Sequence, residues 1–318
     1  MTKTKSISKQ FEKTREDFWN KLAKKEEKFE TKMGKVYERY KSKLEKEMAE
    51  YFGRYGKDNV IEYADMMEQL GDENKRLLLE DYETFLIKNP DKAHLTPIRE
   101  SIYKLTRLEG LQYSVLMNML ELGVIEEEEI RKHLISVFGE TYKGMSKVLG
   151  IDPAFNVIDK RAIEVFLEEE WVNGNNFVDS VYQNKRRLAE YISDDFKDGI
   201  IRGDNYRTIY KRVADRFDRR LSSDIRRVVF TEGTHISNEA MIRPFEEHEL
   251  LDEYKYIAVM DSKTTDICRG LNGKVFKLEH KEVGVNFPPM HTYCRSTFNI
   301  VIPDDYIERY VDKFGEMK

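Results

Sequence analysis

Between Phe11 and Tyr51 the chain sets an apolar residue every three, four or seven positions and contains no proline. Phe11, Phe18, Leu22, Phe29, Met33, Val36, Tyr40, Leu44, Met48 and Tyr51 carry the pattern, and charged residues fill most of the positions between them. This is the period of an α-helix with one apolar stripe. A stripe of that length must be buried against other helices, which commits the rest of the chain to supplying them. Gly53 and Gly56 mark its end. The spacing drifts from a strict heptad, so packing on helices of a larger body is expected rather than a self-contained coiled coil.

The partners are legible further on. Asp72 is placed to cap a helix containing Leu77, Leu78, Tyr82 and Phe85 that ends near Asn89-Pro90. Thr96-Pro97 opens another, with Ile98, Ile102, Leu105, Leu108, Leu111 and Val115 on one face. The acidic run at residues 126–129 precedes Ile130, Leu134 and Val137, and is expected to start a helix, where carboxylates complement the dipole. Residues 150–156 read as a linker and 171–177 as a loop. Helices follow through Val181, Leu188, Ile192 and Phe196, then, after a break at Gly199 and Gly203, through Tyr206, Ile209, Val213 and Phe217. Ser222-Ser223-Asp224 caps a further helix through Ile225, Val228, Val229 and Ile236.

After about residue 245 the pattern changes. Residues 254–260, 274–278 and 296–302 are short β-branched and aromatic runs bounded by Gly, Asn and Pro. The tail, with Ile307, Tyr310, Val311 and Phe314, forms one last short helix. The expected fold is therefore α+β and mainly α. A helical N-terminal region spans 1–150, a second domain of helices closed by a small antiparallel sheet with a Cys/His knuckle spans 151–303, and a helical tail spans 304–318.

Composition narrows the setting. No stretch approaches the roughly 20 apolar residues of a membrane span, and the basic N-terminus lacks the apolar segment of a secretory signal. Two cysteines, Cys268 and Cys294, are too few for a disulfide scaffold and suit a reducing cytoplasm. The net charge of -5 is unevenly spread: residues 1–56 hold 16 Lys/Arg against 10 Asp/Glu, and residues 185–227 hold 13 against 8. Lys185, Arg186, Arg187, Lys211 and Arg212 in the second segment are candidate DNA-backbone contacts. The competing reading is that such mixed runs are the solvated faces of helices.

The richest constellation lies at 261–295. Cys268, His291 and Cys294 are residues that zinc takes as ligands, and the three-residue spacing of the last two lets a tight turn aim both at one point. A closed structural site needs four ligands; Asp261, Asp266, His280 or water would supply the fourth. The alternative is a metal-free knuckle with hydrogen-bonded His291 and cysteines packed as small hydrophobes. Asn272-Gly273 suits a hairpin turn with positive φ. Arg295 has a planar fork for a carboxylate, with Asp261 favoured, or for a phosphate.

These residues resemble the C-terminal signature of the phage head morphogenesis family typified by the F protein of phage Mu. Asp261, Lys263 and Thr264 match its opening, Cys268 the second cysteine of its Cys-x-x-Cys, Asn272 and Gly273 its turn, and Pro288, Pro289, His291, Cys294 and Arg295 its close. Thr265 stands where many members carry the first cysteine. Upstream, Arg227, Thr231, Glu232 and Asn238 resemble the family's Arg-x-x-x-Thr-Glu helix, so the similarity runs over about 165–303. Arg227 and Glu232 would form an ion pair or face water.

The resemblance implies a minor structural protein of the virion, near the portal vertex inside the head and in the host cytoplasm during assembly. It would act in head assembly and in DNA packaging or ejection, not as an enzyme. Implied partners are the portal protein, capsid or scaffold proteins, and double-stranded DNA. Two other readings stay open: a metal-dependent, nuclease-like enzyme using Cys268, His291 and Cys294, and a helical adaptor without DNA contact. Against the first, His280-Lys-Glu282 lacks the Pro-Cys-x-x-Cys of a zinc deaminase, and His248-Glu249 lacks a zincin's second histidine.

Overall fold

The computed structural model describes residues 3–96, 99–150, 160–171 and 174–315. Helices dominate: α1 (Lys3–Tyr55), the single turn α2 (Tyr63–Met66), α3 (Asp72–Lys88), α4 (Arg107–Val148), α5 (Lys160–Leu167), α6 (Phe177–Ile201), α7 (Tyr206–Arg220), α8 (Arg226–Glu247), α9 (Asp266–Leu271) and α10 (Tyr306–Phe314). The strands β1 (Glu253–Ile257), β2 (Val275–Lys277) and β3 (Thr297–Val301) form one antiparallel sheet in the order β2-β1-β3. The mainly helical fold with a small late sheet is the one the sequence predicts.

The long stripe is real, with two positions shifted and Phe18 only partly buried. The buried face of α1 is Ile7, Phe11, Leu22, Phe29, Met33, Tyr37, Tyr40, Leu44, Met48 and Phe52. Tyr37 and Phe52 replace the expected Val36 and Tyr51, because over a straight helix the inward angle drifts relative to any fixed spacing.

The chain makes two compact units from interleaved segments. The first gathers Met1–Phe29, Glu129–Val178 and Arg226–Lys318; the second, Glu30–Glu128 and Asp179–Ile225. In the first, Phe11 of α1, Met145 of α4 and Phe245 of α8 share a core with Tyr254, Phe298 and Ile300 of the sheet and Tyr306 and Tyr310 of α10. Arg15 reaches into this unit and donates to the Phe298 carbonyl at 2.7 Å. Its long stem packs while the fork satisfies an inner acceptor.

In the second unit Tyr37 packs edge-on against Phe217, and Phe52 against Tyr206, each at 5.5 Å between ring centroids. A Cβ on Gly199 would lie 2.5 Å from Ile209 Cγ1, so the missing side chain is what lets Ile209 of α7 approach α6. Gly199 was expected to break the helix; α6 runs through it to Ile201, and the turn is made by Gly203 at φ 71°.

Several boundaries move. Gly71, not Asp72, is the N-cap of α3, with Asp72 inside its first turn. Residues 126–129 start no helix: they lie in the middle of α4, where Glu126 is fully buried. Residues 221–225 do not interrupt the chain as a cap. They form a π-helical turn through which α7 continues into α8. Pro97, Ile98 and most of the expected linker at 150–156 lie outside the described residues, as do residues 172 and 173 of the 171–177 loop.

Candidate functional site

The Cys/His constellation is assembled within the first unit by β1, α9 and the loop leading into β3. Tyr256 on β1 is buried and donates its hydroxyl to Cys268 Sγ at 3.4 Å. Past β1 the chain makes a tight loop: Lys263 N donates to Asp261 Oδ1 at 2.8 Å and Asp261 N to Thr264 Oγ1 at 2.9 Å. Such side-chain to backbone bonds are why Asp and Thr open turns. Thr265 then caps α9, its hydroxyl accepting from Cys268 N at 3.4 Å. This cap sets Cys268 on the inner side of the first turn.

The helix ends at Asn272, whose Oδ1 accepts from Ala258 N at 2.9 Å, and Gly273 adopts φ 83°. The positive φ is as expected, but its setting is a helix-to-strand turn and not a hairpin, because α9 is inserted between β1 and β2. Pro288 and Pro289 are buried and joined by a cis bond. After them the chain turns at Tyr293 (φ 59°), and Cys294 N donates to the His291 carbonyl at 3.1 Å. Tyr293 N donates to Thr231 Oγ1 of α8 at 3.1 Å, tying the knuckle to that helix.

Cys268 Sγ lies 3.8 Å from Cys294 Sγ and 3.3 Å from His291 Nε2. Both thiols are free and buried. Thr265 Oγ1 lies 3.0 Å from the same nitrogen. His291 Nδ1 is 2.7 Å from the Thr292 carbonyl, which can only accept, so Nδ1 carries a proton and Nε2 faces the sulfurs. Hydrogen bonding from Cys294, joined by Ser296, Thr265 and Tyr256, holds the Cys268 thiol below its ordinary range against burial. Cys294, sharing its proton with Cys268 and buried more deeply, is pushed up.

Asp261 is not part of this group. Arg295 donates to both its oxygens, each at 2.6 Å, and the Arg295 bonds hold the carboxyl well below its ordinary range. This is the carboxylate pairing favoured for Arg295, and it withdraws Asp261 as a fourth ligand. Asp266 and His280 are exposed and also lie outside the group.

Helix α8 supplies the backing. Glu232 accepts from Trp171 Nε1 at 3.2 Å, while Arg227 is half-buried on the same helix. Asn238, fully buried, donates to the Thr234 and Ser296 carbonyls and accepts from Thr297 Oγ1 at 2.9 Å, fastening β3 to α8. His235 was missed by sequence reasoning. It is fully buried, 3.5 Å from Glu169 and 3.9 Å from Glu232, against the Trp171 ring. A lone histidine in a helical run carries no signal without its carboxylates in view.

In the second unit the DNA-contact candidates separate. Lys185 is 1% exposed and bonded to Glu126 Oε2 at 2.7 Å and to the Tyr37 hydroxyl, so it cannot reach a phosphate from this position. Its place on the inner face of α6, opposite Glu126, overrides the basic run around it. Arg212 is paired with Asp204 at 2.5 Å, and Arg186 donates to the Leu95 carbonyl at 2.8 Å. Arg187 and Lys211 are exposed.

A protein-family profile described as Phage Mu protein F like protein matches residues 190–299, from the second half of α6 into β3. The matched stretch contains Arg227, Thr231, Glu232, Asn238 and the whole knuckle. No curated protein and no solved structure matches the chain. No helix among the described residues is long and apolar enough to cross a membrane.

Proposed function

We propose, from the match of residues 190–299 to the Phage Mu protein F like profile, that this chain belongs to that family of phage head morphogenesis proteins and is a minor structural protein of a tailed-phage head, seated near the portal vertex and acting in head assembly and in DNA packaging or ejection. The single observation carrying this is the profile match, which covers α8 and the Cys/His knuckle and runs into β3. The family is a structural one and generally non-enzymatic. The geometry agrees with that use. Cys268 and Cys294 are buried behind Tyr256, and Asn238, Thr231 and the Arg295–Asp261 pair are spent on joining elements rather than on facing a cleft. On this reading residues 151–303 form the head-protein domain, and 1–150 the helical region that precedes it. The portal protein, with capsid or scaffold proteins, is the expected partner.

Co-production of the chain with the portal and major capsid proteins of its phage tests the assignment. It should sediment with portal-bearing particles at a few copies each, and be absent from particles made without portal. Exclusion from portal-bearing particles would refute it.

DNA contact is the less supported half of the reading. Of the five basic residues proposed for it, Lys185 is buried, and Arg212 and Arg186 are bonded within the protein. This favours a helical adaptor whose DNA contact, if made, rests on Arg187 and Lys211.

A further inference from the structure

The geometry points to a zinc site at Cys268, His291 and Cys294, with the fourth coordination position on the Thr265 side. The two distances from Cys268 are close to those a tetrahedral ion imposes, and the Cys294–His291 pair would close onto the ion. Zn–S bonds of about 2.3 Å and a Zn–N bond of about 2.0 Å put two sulfurs about 3.8 Å apart, and a sulfur and nitrogen about 3.5 Å apart. Here the sulfurs are 3.8 Å apart and Cys268 Sγ is 3.3 Å from His291 Nε2, with all three donor atoms within 4.8 Å of one another. A disulfide would need the sulfurs at about 2.05 Å.

Orientation supports the same ion. The Nδ1 proton is committed to the Thr292 carbonyl, which leaves Nε2 as the ligand atom and fixes the ring, the usual outer-shell device for a metal-bound histidine. The Tyr256 hydroxyl donates to Cys268 Sγ, as to a thiolate. Charge fits the surroundings: two thiolates on a divalent ion are neutral, and the sulfurs sit among Tyr256, Ala258, Leu271, Phe276 and Met290. Any thiol protons leave to solvent as the ion binds. Asp261, the motif carboxylate weighed as a fourth ligand, is held by Arg295 and does not compete.

Thr265 explains why the set looks incomplete. Its hydroxyl lies 3.0 Å from His291 Nε2, so the N-cap of α9 points at the same centre as the three ligands. Its oxygen, or a water that it holds, completes the tetrahedron. Soft thiolate and imidazole donors at this spacing select zinc over magnesium or calcium, which take oxygen.

The test uses the full chain made in zinc-supplemented medium. We expect one zinc per chain by elemental analysis. After removal and reconstitution with Co2+, the absorption spectrum should show thiolate-to-cobalt charge transfer and tetrahedral ligand-field bands. Cys294→Ser should lose both while keeping the helical circular dichroism, and Thr265→Cys should slow metal loss to a chelator at least tenfold. Well under one metal per chain with two reactive thiols, or no cobalt spectrum, would overturn the site. So would a Cys294→Ser variant that keeps its metal. An unchanged rate in Thr265→Cys would overturn the assignment of the fourth position. None of these outcomes depends on assembly into a phage head.

Discussion

Lys185 shows how far a residue's meaning depends on what lies opposite. Its ammonium, Glu126 and Tyr37 form a fully buried group in which the Tyr37 hydroxyl donates to Glu126 at 2.6 Å. Burial first, and Glu126 second, push the Tyr37 hydroxyl well above its ordinary range, so it remains a donor at any physiological pH. Removing one charge leaves the other without compensation. Lys185→Met should cost about 3–5 kcal/mol of stability, and the double change Lys185→Met with Glu126→Gln should recover much of it. Urea unfolding of the three proteins decides this; equal losses in single and double variants would mean that the pair is not coupled.

His235 makes the complementary case, at a group that titrates. Burial works against its protonation, but Glu169 and Glu232, with Glu239 behind them, hold the imidazolium up to about 9. A folded value above the ordinary 6.5 means that the charged form stabilises the native state. That contribution is complete below about pH 6.5 and is lost as pH rises through about 9, on the order of 3 kcal/mol. Unfolding free energy should therefore fall between pH 6.5 and 9.5, and His235→Gln should flatten the fall. An identical slope in the variant would assign it to other groups.

At the scale of elements, small side chains decide close approaches and caps. Gly199 sits inside α6 with Ile209 where its Cβ would be, so Gly199→Ala gains about 1 kcal/mol of helix propensity but overpacks a buried contact, typically by about 1–3 kcal/mol. The net change should be destabilising; a rise in melting temperature would show that Ile209 simply gives way. Asn238 serves two elements at once, and Asn238→Ala would leave the Ser296 carbonyl and Thr297 hydroxyl short of partners in a dry setting. A loss of about 1–3 kcal/mol is expected. Hydrogen exchange at β3 should report the loss before the N-terminal half of α1 does. The three strands, α10 and the stripe of α1 were all readable locally, since each depends on a period of two or about 3.6 within one segment. The continuity of α4 through residues 126–129 and the π turn at 221–225 were not. An acidic cluster or a Ser-Ser-Asp run looks the same at a helix start as in a helix whose carboxylate meets a buried lysine.

For the whole molecule, the net charge of -5 opposes non-specific DNA binding, and the basic surplus of residues 185–227 is partly consumed inside the protein. If the chain holds DNA through Arg187 and Lys211, log affinity should fall with log salt at a slope near -2, since each neutralised phosphate contributes about 0.9. The double change Arg187→Ala with Lys211→Ala should abolish that dependence. A slope unchanged in the double variant would place the contact elsewhere, and no binding at low salt would establish the adaptor reading.

By itself the sequence determined the helix-rich class, the late antiparallel sheet, the resemblance of residues 190–299 to a phage head-protein profile and the Cys268, His291 and Cys294 group, because periodicity and motif spacing are local and survive without knowing what packs on them. Tertiary structure alone decided that Lys185 is interior, that Thr265 faces His291 across 26 residues of chain, and that His235 lies among carboxylates. Each of those depends on which segments of distant number share a compact unit, and the interleaving of residues 3–29, 129–178 and 226–315 in one of them has no signature in any single stretch.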